Sequence, residues 1–94
     1  MHQSTENGGR FVMQRDGRDV AELVYTGSGP VVTLLHTEVD PIMRGTGAGK
    51  TLVEEAVQWA RAEGKRLVPR CPYAKSVFDK TPAYHDVLDN GRAG

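Results

Sequence analysis

Hydrophobic and polar positions alternate in short runs along the first 40 residues, which is the pattern of half-buried strands. The pair Asp16-Gly17 interrupts the alternation and suits a two-residue hairpin turn, because both turn positions need a positive φ. The run Gly-Ser-Gly-Pro at residues 27–30 interrupts it again. The pattern therefore predicts an antiparallel three-stranded meander, with strands over residues 10–15, 19–26 and 31–39.

The period changes to that of a helix after residue 47. The apolar residues at helical spacing are Ala48, Leu52, Val53, Ala56, Val57 and Ala60. Gly64 is well placed to end this helix, and residues 65–69 form a fourth strand. Because strand–helix–strand crossovers are right-handed, we expect that strand to lie parallel to the third.

Shorter elements follow, and the chain is predicted to be one α+β unit. Residues 74–80 indicate a short helix, and residues 81–84 open a final turn. We expect a single domain over residues 10–88, with a flexible N-terminus at 1–9 and a flexible C-terminus at 89–94.

Composition limits the possible partners. The 94 residues include 12 Lys and Arg and 12 Asp and Glu, so there is no basic excess to neutralise a nucleic-acid backbone. A single cysteine, Cys71, cannot form an internal disulfide and suits a reducing cytoplasm. No apolar run reaches membrane-spanning length. We therefore expect a cytoplasmic protein with no nucleic-acid or membrane partner, present as a monomer or a weak homodimer.

The segment Arg44-Gly45-Thr46-Gly47-Ala48-Gly49-Lys50 carries the clearest chemistry. Glycines directly before a helix let the backbone approach a ligand, and the exposed amides at the helix start can hold a phosphate. A Walker A loop is disfavoured, because Gly45 and Gly49 enclose one residue too few. A Rossmann fingerprint also fails, since the final glycine spacing and the downstream acid are missing. The pattern indicates an anion-binding loop of a different kind.

Arg44, Gly47 and Gly49 match Arg/Gln-x-x-Gly-x-Gly/Ala, the pyrophosphate-binding motif of the GNAT superfamily of N-acetyltransferases. The chain most resembles the short, single-domain, acetyl-CoA-binding GNAT-like proteins. Further blocks carry that resemblance: His36-Thr37-Glu38-Val39, Pro69-Arg70-Cys71-Pro72-Tyr73 and Pro82-Ala83-Tyr84. It covers roughly residues 10–88 and implies a minimal GNAT-like fold with acetyl-CoA as cofactor.

The resemblance implies the cofactor contacts. The loop residues Gly45, Thr46, Gly47, Ala48 and Gly49 would surround the pyrophosphate of coenzyme A, and Arg44 and Lys50 would add positive charge. In GNAT folds the third and fourth strands part near the loop. The pantetheine arm lies in that gap, where Val39 and the neighbouring backbone would pair with it.

Catalytic candidates lie on both sides of the loop. His36 and Glu38 are two residues apart on one strand, so their side chains share a face, and either could act as a base. Cys71 could be a nucleophile, for instance if His36 lies beside it, or a small buried hydrophobe. Tyr73 and Tyr84 are possible proton donors to the thiolate or packing residues. No group of residues supports a metal site.

The chain leaves no room for the two helices that help to shape the acceptor pocket in longer GNAT enzymes. The first hypothesis is transfer of an acetyl group to an unidentified amine, either a small molecule or a protein lysine or N-terminus. The alternative is a non-catalytic acyl-CoA-binding or sensing module. A nucleotide-binding interaction protein is a third, weaker reading of the same loop.

Overall fold

The computed structural model describes residues 1–89. The strands are β1 (His2–Thr5), β2 (Gly8–Arg15), β3 (Arg18–Thr26), β4 (Val31–Val39) and β5 (Arg66–Pro69). The helices are α1 (Ala48–Glu63) and α2 (Pro72–Lys80), and 3₁₀ turns cover Pro41–Met43 and Pro82–Val87. The predicted α+β class is confirmed, as are the meander, the long crossover helix and the short second helix.

One mixed sheet contains all five strands in the order β1-β2-β3-β4-β5. The first four strands are antiparallel, and β5 pairs with β4 in parallel, as the crossover predicted. The Asp16-Gly17 turn is also confirmed, with φ values of 53° and 77°. A bulge at Leu35 interrupts β4, because Tyr25 pairs with Leu34 whereas Val24 pairs with His36.

The structure differs from the sequence prediction at the N-terminus. Residues 1–9 were expected to be a loose lead-in, but His2–Thr5 form an edge strand against β2. All four residues are polar and exposed, so the sequence of this strand has no apolar alternation. The His2 ring still stacks on Phe11 at 4.2 Å and lies 2.6 Å from the Tyr25 hydroxyl, which ties the strand to the sheet.

The C-terminal prediction is only partly open to comparison. Asp89 donates its amide to the Leu67 carbonyl at 2.8 Å, which continues a parallel bridge between Leu67 and Leu88. The rest of the predicted flexible C-terminus, residues 90–94, lies outside the described residues. The domain limits of 10–88 stay a prediction.

A single apolar core lies between the helices and one face of the sheet. Cross-strand partners share a face, and Phe11, Leu23 and Thr37 form one such row. The buried apolar residues that this face and the two helices share include Phe11, Leu23, Leu34, Leu52, Val53, Val57, Ala74 and Phe78. We call this side of the sheet the helix face. Neither α1 nor α2 has the length and hydrophobicity needed to cross a membrane.

The other side of the sheet, which we call the open face, carries mostly polar residues. Arg10, Val24 and His36 form one row across three strands, and Val12, Glu22 and Glu38 form the next. His36 and Glu38 are exposed, and Arg10 and Glu22 are half-buried. The two faces of β4 therefore present different chemistry.

Candidate functional site

The glycine-rich loop has a shape that requires glycine at two positions. Gly45 and Gly47 have φ values of 83° and 82°, in the left-handed region that side chains disfavour. Between them, Thr46 turns back so that its amide and its hydroxyl both donate to the Met43 carbonyl. Upstream, the Asp40 carboxylate accepts the Ile42 amide at 3.1 Å and starts the 3₁₀ turn. The chain is thus bent sharply into the start of α1.

The N-terminus of α1 keeps its amides available. Among residues 1–89, no side chain caps this helix at Gly47, and the first intrahelical bond runs from the Thr51 amide to the Gly47 carbonyl at 2.9 Å. The amides of Ala48, Gly49 and Lys50 have no intrahelical acceptor at this position. The exposed side chains of Arg44 and Lys50 add positive charge at the same end. This is an anion-binding arrangement.

A cavity of about 300 Å³ lies directly against this loop. Its lining comes from β4, the loop and the start of both helices: Thr37, Val39, Met43, Arg44, Gly45, Gly47, Ala48, Gly49 and Tyr73. Most of the predicted cofactor residues therefore meet at one cavity. Thr37 and Met43 were not predicted. Thr37 could have been found, because it lies between His36 and Glu38 on β4 and its side chain therefore points to the helix face.

The sheet opens next to this cavity. Pairing between β4 and β5 ends at Leu34 and Pro69, and the amides of Arg70 and Cys71 both donate to the Leu34 carbonyl, at 3.1 and 3.0 Å. Beyond that point Asp40 donates its amide to Val20 of β3 at 2.8 Å. The amide and carbonyl groups of successive residues point to alternate edges of a strand. Those of Thr37 and Val39 therefore point away from β3, to the edge of β4 that β5 does not reach. Beyond Leu34, no residue of β5 pairs with β4, because β5 ends at Pro69, and we call the space beside this edge of β4 the gap.

Cys71 lies on the helix face, where β5 ends and α2 begins. Its side chain is only 3% exposed, and its sulfur lies 3.3 Å from the Thr37 hydroxyl, with either atom able to donate. His36 lies on the opposite face of β4, so it is not the neighbour that the sequence analysis suggested for Cys71. The thiol borders the gap through Thr37 instead.

His36 and Glu38 do share the open face, as the spacing predicted. Glu38 lines a second cavity, of about 360 Å³, together with the carboxylates of Asp19, Glu22 and Asp40. Arg10 lies in the same cavity and contacts Glu22 at 2.8 Å and Asp19 at 3.2 Å. Hydrogen bonding to Glu22, the larger effect, and the charge of Asp19 raise the pKa of Arg10. Arg18 also contacts Asp40, at 3.5 Å, so Glu38 is the carboxylate of this lining without an ion-pair partner within residues 1–89. Sequence spacing did not indicate this cluster of charges.

The structure thus separates the predicted catalytic residues into two groups. Cys71 and Tyr73 lie on the helix face, and His36 and Glu38 lie on the open face. Val39 lines both cavities, whereas Glu38 lines the second cavity only and Tyr73 the first only. Tyr84 is placed elsewhere: it is buried, donates to the Glu54 carboxylate at 2.9 Å and packs against Phe78. Burial, followed by the hydrogen bond to Glu54, raises the pKa of Tyr84.

Residues 1–89 contain no group of three or more His, Cys, Asp or Glu side chains arranged to hold a metal ion.

A helix start that can bind phosphate, beside a sheet that parts at the same point, is the arrangement implied by the GNAT resemblance. Comparison with known families agrees: the family model described as GCN5-related N-acetyl-transferase matches residues 10–87. The chain belongs to this family. No protein with a curated description matches the sequence.

Solved structures show the same fold. A GCN5-like protein from Staphylococcus aureus is 25% identical, with a TM-score of 0.69 over 99% of this chain and 94% of its own. The Escherichia coli ribosomal-protein-S18-alanine N-acetyltransferase is 20% identical, with a TM-score of 0.69 over 82% of this chain. This chain spans only 53% of that enzyme. The aminoglycoside N-acetyltransferase AAC(6′)-Iy, solved with CoA, is 20% identical, with a TM-score of 0.60 over 81% of this chain and 67% of its own.

Proposed function

We propose that this protein transfers an acetyl group from acetyl-CoA to an amine. The observation that carries the proposal is the position of the loop: the free amides and cations at the start of α1 lie beside the gap between β4 and β5. A pyrophosphate and an extended arm joined to it would need these two features side by side. Family membership supports the same substrate.

The residues around the first cavity fit coenzyme A. The amides of Gly45, Gly47, Ala48 and Gly49 would donate to the pyrophosphate oxygens, with Arg44 and Lys50 supplying charge. Within residues 1–89, and apart from the adjoining residues of the chain, no atom lies within 4 Å of a Cβ built on Gly45 or Gly47, so this side of the loop is open to a ligand. The open edge of Thr37 and Val39 would pair with the amides of the pantetheine arm.

The open face would supply the acid–base chemistry. Transfer forms a bond from the amine nitrogen to the acetyl carbon and breaks the carbon–sulfur bond, so the nitrogen must lose a proton and the sulfur must gain one. His36 and Glu38 are the candidate bases, because both are exposed on the face from which an acceptor can reach the gap. The Tyr73 hydroxyl, on the cofactor side, is the candidate proton donor to sulfur.

The acidic cavity favours a positively charged acceptor. Four carboxylates line it, and within residues 1–89 Arg10 pairs with Asp19 and Glu22 and Arg18 pairs with Asp40, which leaves Glu38 without a cation. A protonated amine would pair with Glu38 on binding and would then be deprotonated for attack. Polyamines and lysine-containing peptides are therefore the first acceptors to test.

A covalent route through Cys71 is a second possible mechanism for the same reaction. In that route the thiolate attacks the acetyl carbon, CoA leaves as its thiol, and the amine then attacks the cysteine thioester. The burial of Cys71 and its contact with Thr37 place the sulfur at the border of the gap. Intact mass spectrometry after exposure to acetyl-CoA tests this route: an acetyl adduct should appear and should be lost in Cys71→Ala, whereas turnover by Cys71→Ala would exclude it.

The alternative function is a non-catalytic acyl-CoA-binding module. The polar open face favours it, because that side of the sheet presents exposed residues where an enzyme needs an enclosed acceptor site. Binding of acetyl-CoA without acetylation of any polyamine or lysine peptide would support this alternative.

Calorimetric titration with acetyl-CoA, CoA and ATP is the first experiment. We expect both CoA compounds to bind and ATP to bind much more weakly. Arg44→Gln should weaken CoA binding, and Lys80→Gln, which removes an exposed cation at the far end of α2, should not. Tight ATP binding without CoA binding would refute the proposal.

Turnover separates the binding step from the chemistry. In an acetylation assay, removal of the working base should lower kcat by about 10²–10⁴-fold while leaving the Kd for CoA unchanged. His36→Ala and Glu38→Gln test the two candidates, with Glu63→Gln on α1 as a control for loss of an exposed carboxylate. If both variants keep full turnover, the open face does not supply the base.

A further inference from the structure

The third glycine of the loop differs from the other two. Gly49 lies inside α1 with ordinary helical backbone, so its conformation does not require glycine. A Cβ built on Gly49 would lie 2.8 Å from two ring carbons of Tyr73 and 2.9 Å from its hydroxyl oxygen. The tyrosine ring, and not the backbone, excludes a side chain at this position.

The Tyr73 side chain connects the first turns of the two helices. It belongs to the first turn of α2, which follows β5, yet its ring contacts the first turn of α1. It also lines the first cavity opposite Thr37 and Val39 of β4. The ring therefore closes the side of the gap that β5 leaves open when it ends at Pro69.

The ring is also available to a ligand. Tyr73 is 41% exposed, one of the large apolar side chains that remain accessible at the surface. Within residues 1–89 its hydroxyl makes no hydrogen bond, in contrast to the hydroxyls of Tyr25 and Tyr84. A structural tyrosine would be expected to bury its ring or to bond its hydroxyl.

We propose that Tyr73 forms the wall against which the pantetheine arm of CoA packs, and that Gly49 is needed to let the ring reach that place. This inference rests on the proposed function, because it assigns a contact within the CoA site. It explains the lack of a side chain at Gly49 by the position of the Tyr73 ring and not by close approach of the backbone to phosphate. It also predicts that Tyr73 recognises the arm and not the nucleotide.

Two ligands separate these roles. CoA contains the arm, whereas 3′-phospho-ADP contains the same phosphates and adenosine without it. Tyr73→Ala should weaken CoA binding about tenfold, the upper part of the range for one aromatic contact, and leave 3′-phospho-ADP binding unchanged. Tyr73→Phe keeps the ring and should bind both ligands as the wild type does.

Gly49→Ala tests the second half of the proposal in a folded protein. The clash is with the far end of an exposed side chain, and alanine is the better helix former, so the melting temperature should not fall. The displaced ring should lower the affinity for CoA but not for 3′-phospho-ADP. In the Tyr73→Ala background, Gly49→Ala should have no further effect on CoA binding.

Each other outcome overturns a defined part. If Gly49→Ala weakens both ligands equally, Gly49 serves the phosphates and the inference fails. If Tyr73→Ala weakens both equally, or neither, the ring is not a wall for the arm, although CoA binding by the wild type would still uphold the proposed function. If the wild type does not bind CoA, both proposals fail together.

Discussion

Gly47 and Gly64 offer a matched test of the phosphate site, because they flank the same helix in the same conformation. Gly47 precedes α1 with φ 82° and ψ 13°, and Gly64 follows it with φ 67° and ψ 33°. In the part of the chain that the structure describes, no atom beyond the adjoining residues lies within 4 Å of a Cβ built on either glycine. Alanine at either position would therefore cost conformational energy alone, with no clash.

The size of the effect follows from this geometry. A left-handed conformation costs an L-residue about 1–2 kcal/mol, so both substitutions should destabilise the protein by a similar amount. For a domain of this size, 1 kcal/mol lowers the melting temperature by about 4–8 °C. Gly47→Ala should also disturb the amides that face the ligand. Loss of one charge-assisted hydrogen bond, worth about 1.5–3 kcal/mol, weakens CoA binding by about 10- to 150-fold.

Thermal melts and calorimetric titration with CoA check the two effects separately. We expect Gly64→Ala to lower the melting temperature as much as Gly47→Ala does, but to leave the Kd for CoA unchanged. If both variants lost affinity equally, the loss would reflect lower folding stability and not damage to the phosphate-binding loop. Full affinity in Gly47→Ala would show that the phosphates bind elsewhere.

Three further predictions concern stability and the shape of the sheet. Burial, and then the Met1 ammonium, lower the pKa of His2 below its usual 6.5, so the unfolded chain binds more protons just below that pH. The contribution of neutral His2 to folding stability should be complete above pH 6.5 and lost as pH falls through the pKa of the folded state. His2→Phe should flatten this dependence of the melting temperature on pH, as thermal melts at several pH values can show. An unchanged dependence would refute the assignment to His2. Tyr84→Phe removes the 2.9 Å bond to Glu54 and should cost about 1 kcal/mol in denaturant unfolding; an unchanged midpoint would show that the bond contributes nothing. Deletion of Leu35 should remove the bulge in β4 and abolish CoA binding while circular dichroism still shows a folded protein; retained binding would show that the gap does not depend on the bulge.

Most of the secondary structure could be predicted because most elements carry a local signal. The hairpin at Asp16-Gly17, the helical stripe of α1 and the glycine that ends it depend on residues close in sequence. Strand β1 carries no such signal: its four side chains are classed as exposed, and it is fixed by backbone pairing with β2 and by contacts of His2 with distant rings. Such contacts appear only once the sheet has formed.

Most of the residues that line the first cavity could be named from the sequence, but the arrangement of the catalytic candidates could not. Alternation correctly placed His36 and Glu38 on one face. It did not show that Cys71 lies on the other, because that depends on where β5 stops pairing with β4. The acidic cavity was missed for a similar reason, since Asp19 and Glu22 approach Glu38 only through the register of β3 and β4.

Under the proposed function, the bulge at Leu35 would let two faces of one strand serve one reaction. Leu34 is the last residue of β4 to pair with β5, and Leu35 is the extra residue that follows it. A bulge bends and twists its strand, and this one lies where β5 ends and α2 begins. The opened edge is then accessible from both sides, with Thr37 and Cys71 on one and His36 and Glu38 on the other. Under the proposed function, an arm that entered along the helix face would present its acetyl group to an acceptor on the open face, so the reaction would need the gap as well as the glycine loop.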